Sequence, residues 1–382
     1  MTIRNLLRQG HGVKNMTDHS PLETIIRQRI SERGKITVMD YMDFALGHET
    51  YGYYMTRDPF GEHGDFTTAP EICQIFGELI GAWLATMWHQ MGGGEMQLIE
   101  FGPGRGTLMA DALRATRHVP DFHDALIITM VESSPNLRRF QQATLSSHHP
   151  RISWQPNLDN LPDMPTLFVA NEFFDALPIR QFVKTADGLR ERCVHINPDT
   201  DMLEFMVDDM GISLVKGGTH HQQGDEVIVE SCPAARQICA HMAEHIHEYG
   251  GAGIIIDYGY LGESRGNTLQ AVKQHGFWNP LEQPGVADIT AHVAFDDLSD
   301  VFSQADIATS PIATQGEFIE SIGGEMRLEA LMLEADAAQK EALYTGYQRI
   351  TEASQMGELF KVLGVCSDDS INMPGFRGGF EQ

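Results

Sequence analysis

The sequence predicts an α/β protein with a Rossmann-like open sheet, an N-terminal helical cap and an inserted antiparallel β and helical substrate region. One observation is the succession of a strand, a glycine turn and a helix over residues 97–114. A second is that further apolar runs, typical of buried parallel strands, end in an acidic residue at Glu132, Glu172 and Asp257. A third is the alternation of apolar and polar residues from about 180 to 230, which predicts an antiparallel meander.

These patterns divide the chain of 382 residues into parts of different character. Beyond residue 260 they predict a loop region through residue 290, a mixed segment and a helical tail over about 326–360. The predicted parts are a flexible N-terminus (1–20), an N-terminal helical region (21–95), a cofactor-binding core with C-terminal helical elements (96–180 and 250–382), and an inserted β meander and helix (181–249).

The N-terminal helical region has apolar residues at helical spacing over residues 21–46. A break at Gly34 indicates two helices rather than one. A longer helix is predicted for residues 72–91, where the small residues Gly77 and Gly81 would allow a neighbouring element to pack closely.

The glycine turn after the first core strand indicates a nucleotide-type cofactor site. Gly102, Gly104 and Gly106 allow the backbone to approach a ligand closely, and the helix that follows offers free N–H groups. A dinucleotide fingerprint requires glycine or alanine where this chain has Thr107. The acid-and-glycine spacing that begins at Glu100 matches S-adenosylmethionine (SAM) methyltransferases instead. We therefore expect the cofactor to be SAM and not NAD.

Two further segments are candidates for contacts with SAM. Glu132 ends a β-rich run, so we expect its carboxylate at the carboxyl edge of the sheet, where it can accept both ribose hydroxyls. The alternative is a surface glutamate near an ordinary glycine turn. Thr67 and Thr68 precede the helix at 72–91, and their hydroxyls with free helix N–H groups would either hold the methionine carboxylate or only cap a helix.

Charge and hydropathy restrict the partners. The chain has 27 Lys and Arg against 53 Asp and Glu, and its formal net charge is −26. This charge would repel nucleic acid and an anionic membrane and would favour basic partners. No apolar run approaches the roughly 20 residues that a membrane-spanning helix needs. We therefore expect a basic protein partner, with no nucleic acid and no membrane insertion.

Cysteine usage and the N-terminus bear on the compartment. The cysteines are five in number, scattered and without C-x-x-C spacing, so neither a disulfide framework nor a thiolate zinc site is expected. Residues 1–15 carry three basic residues and no acid, which is compatible with a remnant targeting segment or with a start at Met16 rather than Met1. We favour a cytoplasmic protein of a bacterium, with the mitochondrial matrix as the alternative.

Several motifs together give the chain a family resemblance. They lie at residues 65–71, 100–108, 171–178, 257–259, 284–293 and 360–363. With these motifs the chain resembles the MidA-like family, whose members are SAM-dependent methyltransferases of bacteria and mitochondria. The resemblance extends over about residues 21–376 and implies a class I SAM-methyltransferase fold with added helical and β elements. It also implies that the acceptor is an arginine in a protein, because mitochondrial members methylate a subunit of respiratory complex I and support its assembly.

Methylation of arginine gives particular carboxylates a predicted role. The guanidinium stays protonated near neutral pH, so nearby carboxylates are needed to orient it. Glu172 and Asp175 are the predicted catalytic residues because they follow a buried strand at the expected methyl group. The alternative is a helix cap for Asp175 and a buried arginine partner for Glu172. Asn171, Asp257 and His292 are predicted to line the acceptor pocket, although a structural role is equally open for His292.

Two other functions compete with this prediction. Residues 241–245 match the H-x-x-E-H zinc pattern of a metalloprotease, but 17 histidines can produce so short a match by chance, and we predict no metal. The stronger alternative is a catalytically idle assembly factor that keeps the SAM fold and binds a basic protein. Turnover would separate this alternative from an enzyme, whereas SAM binding would not. The sequence makes no prediction of the oligomeric state.

Overall fold

The structure is a computed structural model that describes residues 19–56, 67–186, 188–209, 219–223, 226–262 and 267–376. Nearly all of the predicted flexible N-terminus (1–20), and part of the 65–71 motif, lie outside the described residues. Within them, no helix combines the length and the apolar character needed to cross a membrane.

The N-terminal region is helical, and local capping explains where its first helices begin and end. Ser20 accepts the backbone N–H of Glu23 at the start of the first helix, and Gly34 with φ of 82° follows its end. Thr37 and Asp40 form a capping box that begins the second helix. The predicted break at Gly34 is confirmed. The elements are α1 (Pro21–Arg33), β1 (Ile36–Thr37), α2 (Val38–Gly47), α3 (Tyr53–Thr56), α4 (Ala69–Ile72) and α5 (Gln74–Gln90).

The first half of the core alternates strands and helices, as the sequence predicts. Every residue of β2 and β5 is buried, because a parallel strand between two helix layers has no solvent face. The elements are β2 (Met96–Phe101), α6 (Thr107–Thr116), α7 (Phe122–Ala125), β3 (Leu126–Val131), α8 (Pro135–Leu145), β4 (Ile152–Gln155) and β5 (Thr166–Asn171).

The close packing predicted for the glycines of α5 occurs against α6. A Cβ atom on Gly77 would lie 2.8 Å from the Cβ of Asp111, and one on Gly81 would lie 2.6 Å from the Cα of Ala112. Both distances are too short for a side chain, so glycine sets the separation of the two helices. This contact fixes the helix that follows the glycine turn.

The segment after β5 forms the predicted antiparallel meander, to which β1 also adds. The helix that follows the meander packs on the large sheet. Cys239, Met242 and Ile246 of this helix share a core cluster with Phe168 of β5. The elements are β6 (Arg180–Thr185), β7 (Gly188–Ile196), β8 (Leu203–Val207), β9 (Thr219–Gln223), β10 (Glu226–Ser231) and α9 (Pro233–Tyr249).

The remaining residues supply the last core strands and the C-terminal helices. In chain order they form β11 (Gly251–Tyr260), β12 (Gln270–Lys273), β13 (Gly276–Trp278), β14 (Asp288–Thr290), β15 (Val293–Ala294), α10 (Phe295–Gln304), β16 (Ala308–Thr309), β17 (Ala313–Thr314), α11 (Gln315–Ser321), α12 (Gly324–Glu334), α13 (Ala337–Thr351), α14 (Met356–Leu359) and β18 (Phe360–Cys366).

Two predictions for this part were incomplete. The predicted loop region before residue 290 contains the antiparallel sheet β13–β12–β14. Its strands are three or four residues long, which is too short for alternation to be recognised in the sequence. The predicted helical tail is followed by β18, which pairs antiparallel with β11. An apolar run directly after a helix does not by its periodicity distinguish a strand from more helix.

The expected ligand-binding edge of the large sheet lies at the carboxyl ends of β3, β2 and β5. Strands β4, β3, β2, β5 and β11 are parallel neighbours in that order. The order of connection reverses at β2, and open α/β sheets bind ligands at the carboxyl ends of the strands beside such a reversal. Alternate residues of β2 reach opposite core layers, with Leu98 toward α5 and α6 and Ile99 toward α9 and α10.

Candidate functional site

A cavity of about 540 Å³ opens at the carboxyl ends of β2, β3, β5 and β11. Residues of α2 and α3 close one side, and residues of β12, β14 and the C-terminal helices α13 and α14 close the others. The volume falls within the roughly 300–1,000 Å³ that is typical of small-molecule sites. The cavity therefore lies where the strand order predicts a ligand and has room for one.

The glycine turn forms the floor of this cavity. Gly102, Gly104 and Gly106 have φ values of 55°, 55° and 81°, in the left-handed region that favours glycine. A Cβ on Gly102 would lie 2.8 Å from the ring of Phe173, and Gly106 is the N-cap of α6. Gly102 and Gly104 line the cavity, so a ligand there would meet bare backbone.

Glu132 lies at the tip of β3 and faces the same cavity. Its Oε1 accepts the backbone N–H of Ser134 at 2.7 Å, and its Oε2 accepts the side-chain amide of Gln141 at 3.0 Å. The backbone N–H of Ser133 also interacts with this carboxylate, which has about four acceptor positions, so acceptor capacity remains for a ligand. Burial raises the pKa of Glu132, while the Ser134 and Gln141 donors act against this shift.

A second, smaller cavity of about 30 Å³ adjoins the glycine turn and has unpaired acceptors in its wall. Glu100 Oε2 and Asn171 Oδ1 are buried and have no hydrogen-bond partner within the part of the chain that the structure describes, and both side chains line this cavity. Burial raises the pKa of Glu100 well above its usual value. Buried acceptors are normally paired, so these two atoms fit a ligand with N–H donors, such as the ammonium group of SAM.

Thr67 and Thr68 lie beside these cavities, Thr67 at the larger and Thr68 at the smaller. The first N–H of α4, on Ala69, donates to Glu172 Oε1 at 2.8 Å. That N–H is therefore not free for a methionine carboxylate, contrary to the expectation from the sequence, because the chain's own carboxylate has taken it. The threonine hydroxyls remain as candidate donors.

Glu172 follows β5 in a strained conformation. Its φ of 50° is left-handed, which costs a residue other than glycine roughly 1–3 kcal/mol. Its Oε1 also accepts the side-chain amide of Asn171 at 3.0 Å. Burial raises the pKa of Glu172 to about 7, and the positive charge of Arg349 acts against the shift. The carboxyl therefore titrates close to neutral pH and lines both cavities.

Asp175 lines the large cavity three residues after Glu172. Its side chain is buried, and burial raises its pKa to about 6, while a hydrogen bond from Tyr258 favours the ionised form. The structure thus brings the two predicted catalytic carboxyls to one cavity. Glu172 Oε1 accepts from Ala69 and Asn171, and among the described residues no arginine donates a hydrogen bond to this oxygen.

Asp257 does not line the large cavity, in contrast to its predicted place. Its side chain is fully buried behind the loop that follows β5. The carboxylate accepts the backbone N–H groups of Phe173, Phe174 and Asp175. The reason is geometric, since the loop turns over the end of β11 and leaves no path from Asp257 to a ligand.

Of the other two residues predicted to bind substrate, one lies at each cavity. His292 lines the large cavity, and its ring meets Tyr258 edge-on with centroids 5.2 Å apart. Asn171 is absent from that wall and faces the smaller cavity with Glu100. The structure therefore separates these residues, and only His292 is beside Asp175 and Tyr258.

Sequence reasoning missed a tyrosine and an acid that form the far wall. The hydroxyl of Tyr54 on α3 donates to Asp288 Oδ1 on β14 at 2.8 Å. Both line the large cavity, as does Thr290. Asp288 and Thr290 belong to the 284–293 motif, which was a signal that could have identified them. Tyr54 has no such signal, because its partner lies 234 positions away in the chain.

The large cavity is strongly acidic. Its described lining holds one arginine, Arg349, and no lysine. Positive charge in a ligand would be favoured by this field, and a low-dielectric wall strengthens the effect. The carboxyls in the lining are those of Asp43, Glu132, Glu172, Asp175 and Asp288.

The H-x-x-E-H segment takes no part in this site. It lies on α9, where His245 Nε2 is 2.9 Å from Thr166 Oγ1. No group of three His, Cys, Asp or Glu side chains suited to a metal occurs in the described ranges. Burial lowers the pKa of His245. The hydrogen bond to Thr166 gives the buried ring a polar partner, so His245 has a structural role.

The strand order of the large sheet and the cavity at the glycine turn define a class I SAM-dependent methyltransferase. The family model described as "putative S-adenosyl-L-methionine-dependent methyltransferase" matches residues 79–313, and the chain belongs to this family. The predicted resemblance and fold class are thereby confirmed.

Similar proteins agree with this assignment. The chain is 36% identical to the mitochondrial protein arginine methyltransferase NDUFAF7 of Xenopus tropicalis, covering 92% of this chain and 87% of that protein. For the Homo sapiens protein the identity is 33%, with 89% and 82% covered. A Burkholderia thailandensis protein, solved with bound S-adenosyl-homocysteine, has a TM-score of 0.76 and 26% identity, covering 90% of this chain and 91% of that one. The cofactor is SAM.

Proposed function

We propose that this methyltransferase transfers the methyl group of SAM to an arginine of an acceptor protein. The observation that carries the proposal is the pair Glu172 and Asp175, which lines an acidic cavity beside the glycine turn. The relatives support arginine as the acceptor, because they are named protein arginine methyltransferases. An acidic cavity suits the guanidinium, which stays positively charged in proteins.

The proposed cofactor contacts follow from unused acceptors and bare backbone. Glu132 has acceptor capacity left for the ribose hydroxyls beside its bonds to Ser134 and Gln141. The turn from Gly102 through Gly106 would allow close approach of the ligand. Glu100 and Asn171 would accept hydrogen bonds from the ammonium group of SAM. In this proposal Asn171 contacts the cofactor and not the protein that is methylated. The hydroxyls of Thr67 and Thr68 stay candidates for the carboxylate.

Glu172 and Asp175 would hold the acceptor side chain. When bound, SAM supplies an electrophilic methyl group on its sulfonium. Two carboxylates on one side of a planar guanidinium fork fix its orientation and draw its charge toward them. A nitrogen is then held in line for attack, and positioning of this kind supplies much of the catalysis in a displacement. The new N–C bond forms as the S–C bond breaks.

The proton that the methylated nitrogen loses needs an acceptor. Glu172, with a pKa raised to about 7 by burial, can take it at neutral pH, whereas an exposed carboxylate would be too weak a base. His292 would form part of the acceptor wall beside Tyr258. In this proposal Asp257 does not touch the acceptor.

The identity of the acceptor protein and the cellular compartment are also proposals. The net charge of −26 favours a basic acceptor surface, and the family resemblance makes a respiratory complex I subunit our candidate. The curated relatives are mitochondrial by name, which supports the mitochondrial alternative rather than the bacterial cytoplasm favoured from the sequence. The bacterial compartment stays a prediction.

The test is incubation of the purified protein with methyl-labelled SAM and a lysate of cells that lack its gene. We expect one protein to be labelled, and its hydrolysate to contain methylarginine. Label in a small molecule would overturn the proposed substrate. Binding of SAM without transfer to any acceptor would support the idle assembly factor instead. A lysate from cells that contain the gene is the control, because its acceptor is already methylated.

A further inference from the structure

We propose that Asp257 is a positioning residue that holds Glu172 and Asp175 in place for the acceptor. This deepens the proposed function and depends on it for the kinetic part of its test. Asp257 is fully buried and contacts neither cavity, so it acts through the loop after β5.

Among the described residues, Asp257 accepts its hydrogen bonds from backbone N–H groups. Its Oδ2 accepts three consecutive N–H groups, from Phe173 at 3.1 Å, Phe174 at 2.9 Å and Asp175 at 3.2 Å. Its Oδ1 accepts the N–H of Tyr258 at 2.9 Å. Convergence of successive backbone amides on one carboxylate is a nest, and it favours negative charge. The carboxylate thus fixes the backbone between the two predicted catalytic residues.

The loop needs such a contact because of its conformation. Glu172 leaves β5 with a left-handed φ of 50°, and its N–H donates to Ile256 O on β11 at 2.9 Å. The N–H groups that follow are turned away from any strand partner. Such a conformation persists only where the surroundings determine it. Asp257 is the acceptor that replaces the lost strand partners, so the direction of both catalytic side chains depends on it.

The charges around Asp257 determine how its role can be tested. Burial raises the pKa of Asp257 well above its usual value, and Asp175 and Glu172, which face it from the loop, raise it further, whereas the backbone N–H groups of Asp175 and Tyr258 act against the shift. Burial, and not Asp257, is the main cause of the raised pKa values of Glu172 and Asp175, so the role of Asp257 is geometric. Lys361, opposite Asp257 in β18, does not neutralise it, since Lys361 Nζ donates to the carbonyls of Glu358 and Leu359.

The kinetic test compares Asp257→Asn with the wild-type protein. Asparagine keeps the size of the side chain but replaces one acceptor oxygen by an NH2 group, which then faces a backbone donor. We expect S-adenosyl-homocysteine affinity within threefold of wild type, kcat at least tenfold lower, and the acid limb of kcat/KM at the wild-type pH, because burial and not Asp257 raises the pKa values of Glu172 and Asp175. Unchanged kcat, or a fall in kcat with an equal loss of S-adenosyl-homocysteine affinity, would overturn the proposal. Asp297→Asn on α10, outside both cavities, is the matched control.

Amide hydrogen exchange tests the geometry without turnover. In the wild-type protein at pH 7 the N–H groups of residues 173–175 should exchange as slowly as those inside β5. In Asp257→Asn they should exchange at least tenfold faster, with β5 unchanged. Exchange of the wild-type amides at exposed-loop rates would refute the contacts, even if the variant does not fold. Failure of methyl transfer by the wild type would refute the proposed function but leave this result standing.

Discussion

Replacement of Glu132 by alanine should remove much of the affinity for SAM. The side chain faces the cavity at the tip of β3, and its carboxylate keeps acceptor capacity beside its bonds to Ser134 and Gln141. If the carboxylate accepts both ribose hydroxyls, Glu132→Ala loses two hydrogen bonds to a charged group. Each contributes roughly 1.5–3 kcal/mol, so the loss in binding free energy is roughly 3–6 kcal/mol.

This loss corresponds to a large change in affinity. Since each 1.4 kcal/mol is about tenfold in Kd, even the lower limit predicts a Kd for SAM raised by roughly a hundredfold. Isothermal titration with S-adenosyl-homocysteine measures this change directly. Thermal unfolding of the cofactor-free variant should show that the fold survives, because burial of the carboxyl raises its pKa and disfavours its charged form in the empty protein.

A matched control comes from the same region of the fold. Asp111 on α6 lines neither cavity and pairs with Arg114, so Asp111→Ala should keep wild-type affinity. A Kd within threefold of wild type for Glu132→Ala would mean that a different group binds the ribose. Equal losses in both variants would mean that the effect is on the fold.

Further outcomes follow from the glycines and from the titration of Glu172. Gly104→Val should abolish SAM binding in a folded protein, because Gly104 has a φ of 55° and a ligand would contact its backbone. The control Gly92→Val should bind SAM normally in calorimetry, because Gly92 has a φ of 91° and a Cβ there would have no atom within 4 Å. Gly81→Ala should lower the free energy of unfolding by roughly 1–3 kcal/mol, because its Cβ would lie 2.6 Å from an atom of α6. Gly276→Ala should not lower it, because the nearest atom to its Cβ would be 3.6 Å away. Equal free energies of unfolding for the two variants in denaturant would contradict this reasoning. Burial raises the pKa of Glu172 from 4.5 to about 7, so its protonated form stabilises the fold below pH 4.5, and this contribution is lost as the pH rises through 7. The kcat/KM should rise over the same pH range. Glu172→Gln should remove this part of the pH dependence of the free energy of unfolding. If that pH dependence persists in the variant, other groups cause it.

The regular parts of the core were predictable because their signals are local. The glycine turn follows an apolar strand directly, and left-handed φ values at Gly102 and Gly104 are what three alternating glycines indicate. The acids at the ends of β3 and β5 were placed correctly at the cavity for a similar reason, since parallel strands end at one edge. Alternation over residues from about 180 to 230 likewise predicted the meander.

The remaining features depend on contacts distant in sequence. Asp257 has the same local context as Glu132, an acid near the end of a buried strand, yet the loop after β5 covers it. No local pattern reports that a loop some eighty residues earlier turns its amides toward this side chain. The contact of Tyr54 with Asp288 has the same origin. Tertiary placement, not residue type, therefore separates acids that face a ligand from acids that hold the backbone.

The most direct test of the account is the single-turnover rate of methyl transfer by Glu172→Gln and Asp175→Asn, with the acceptor identified by labelling. Both substitutions keep size and remove charge, so affinity for S-adenosyl-homocysteine should stay within threefold of wild type. Methylarginine formation should fall by roughly a hundredfold or more for whichever carboxylate orients the guanidinium. If both variants form methylarginine at near wild-type rates with the cofactor bound, the loop after β5 is structural and the proposed mechanism is wrong.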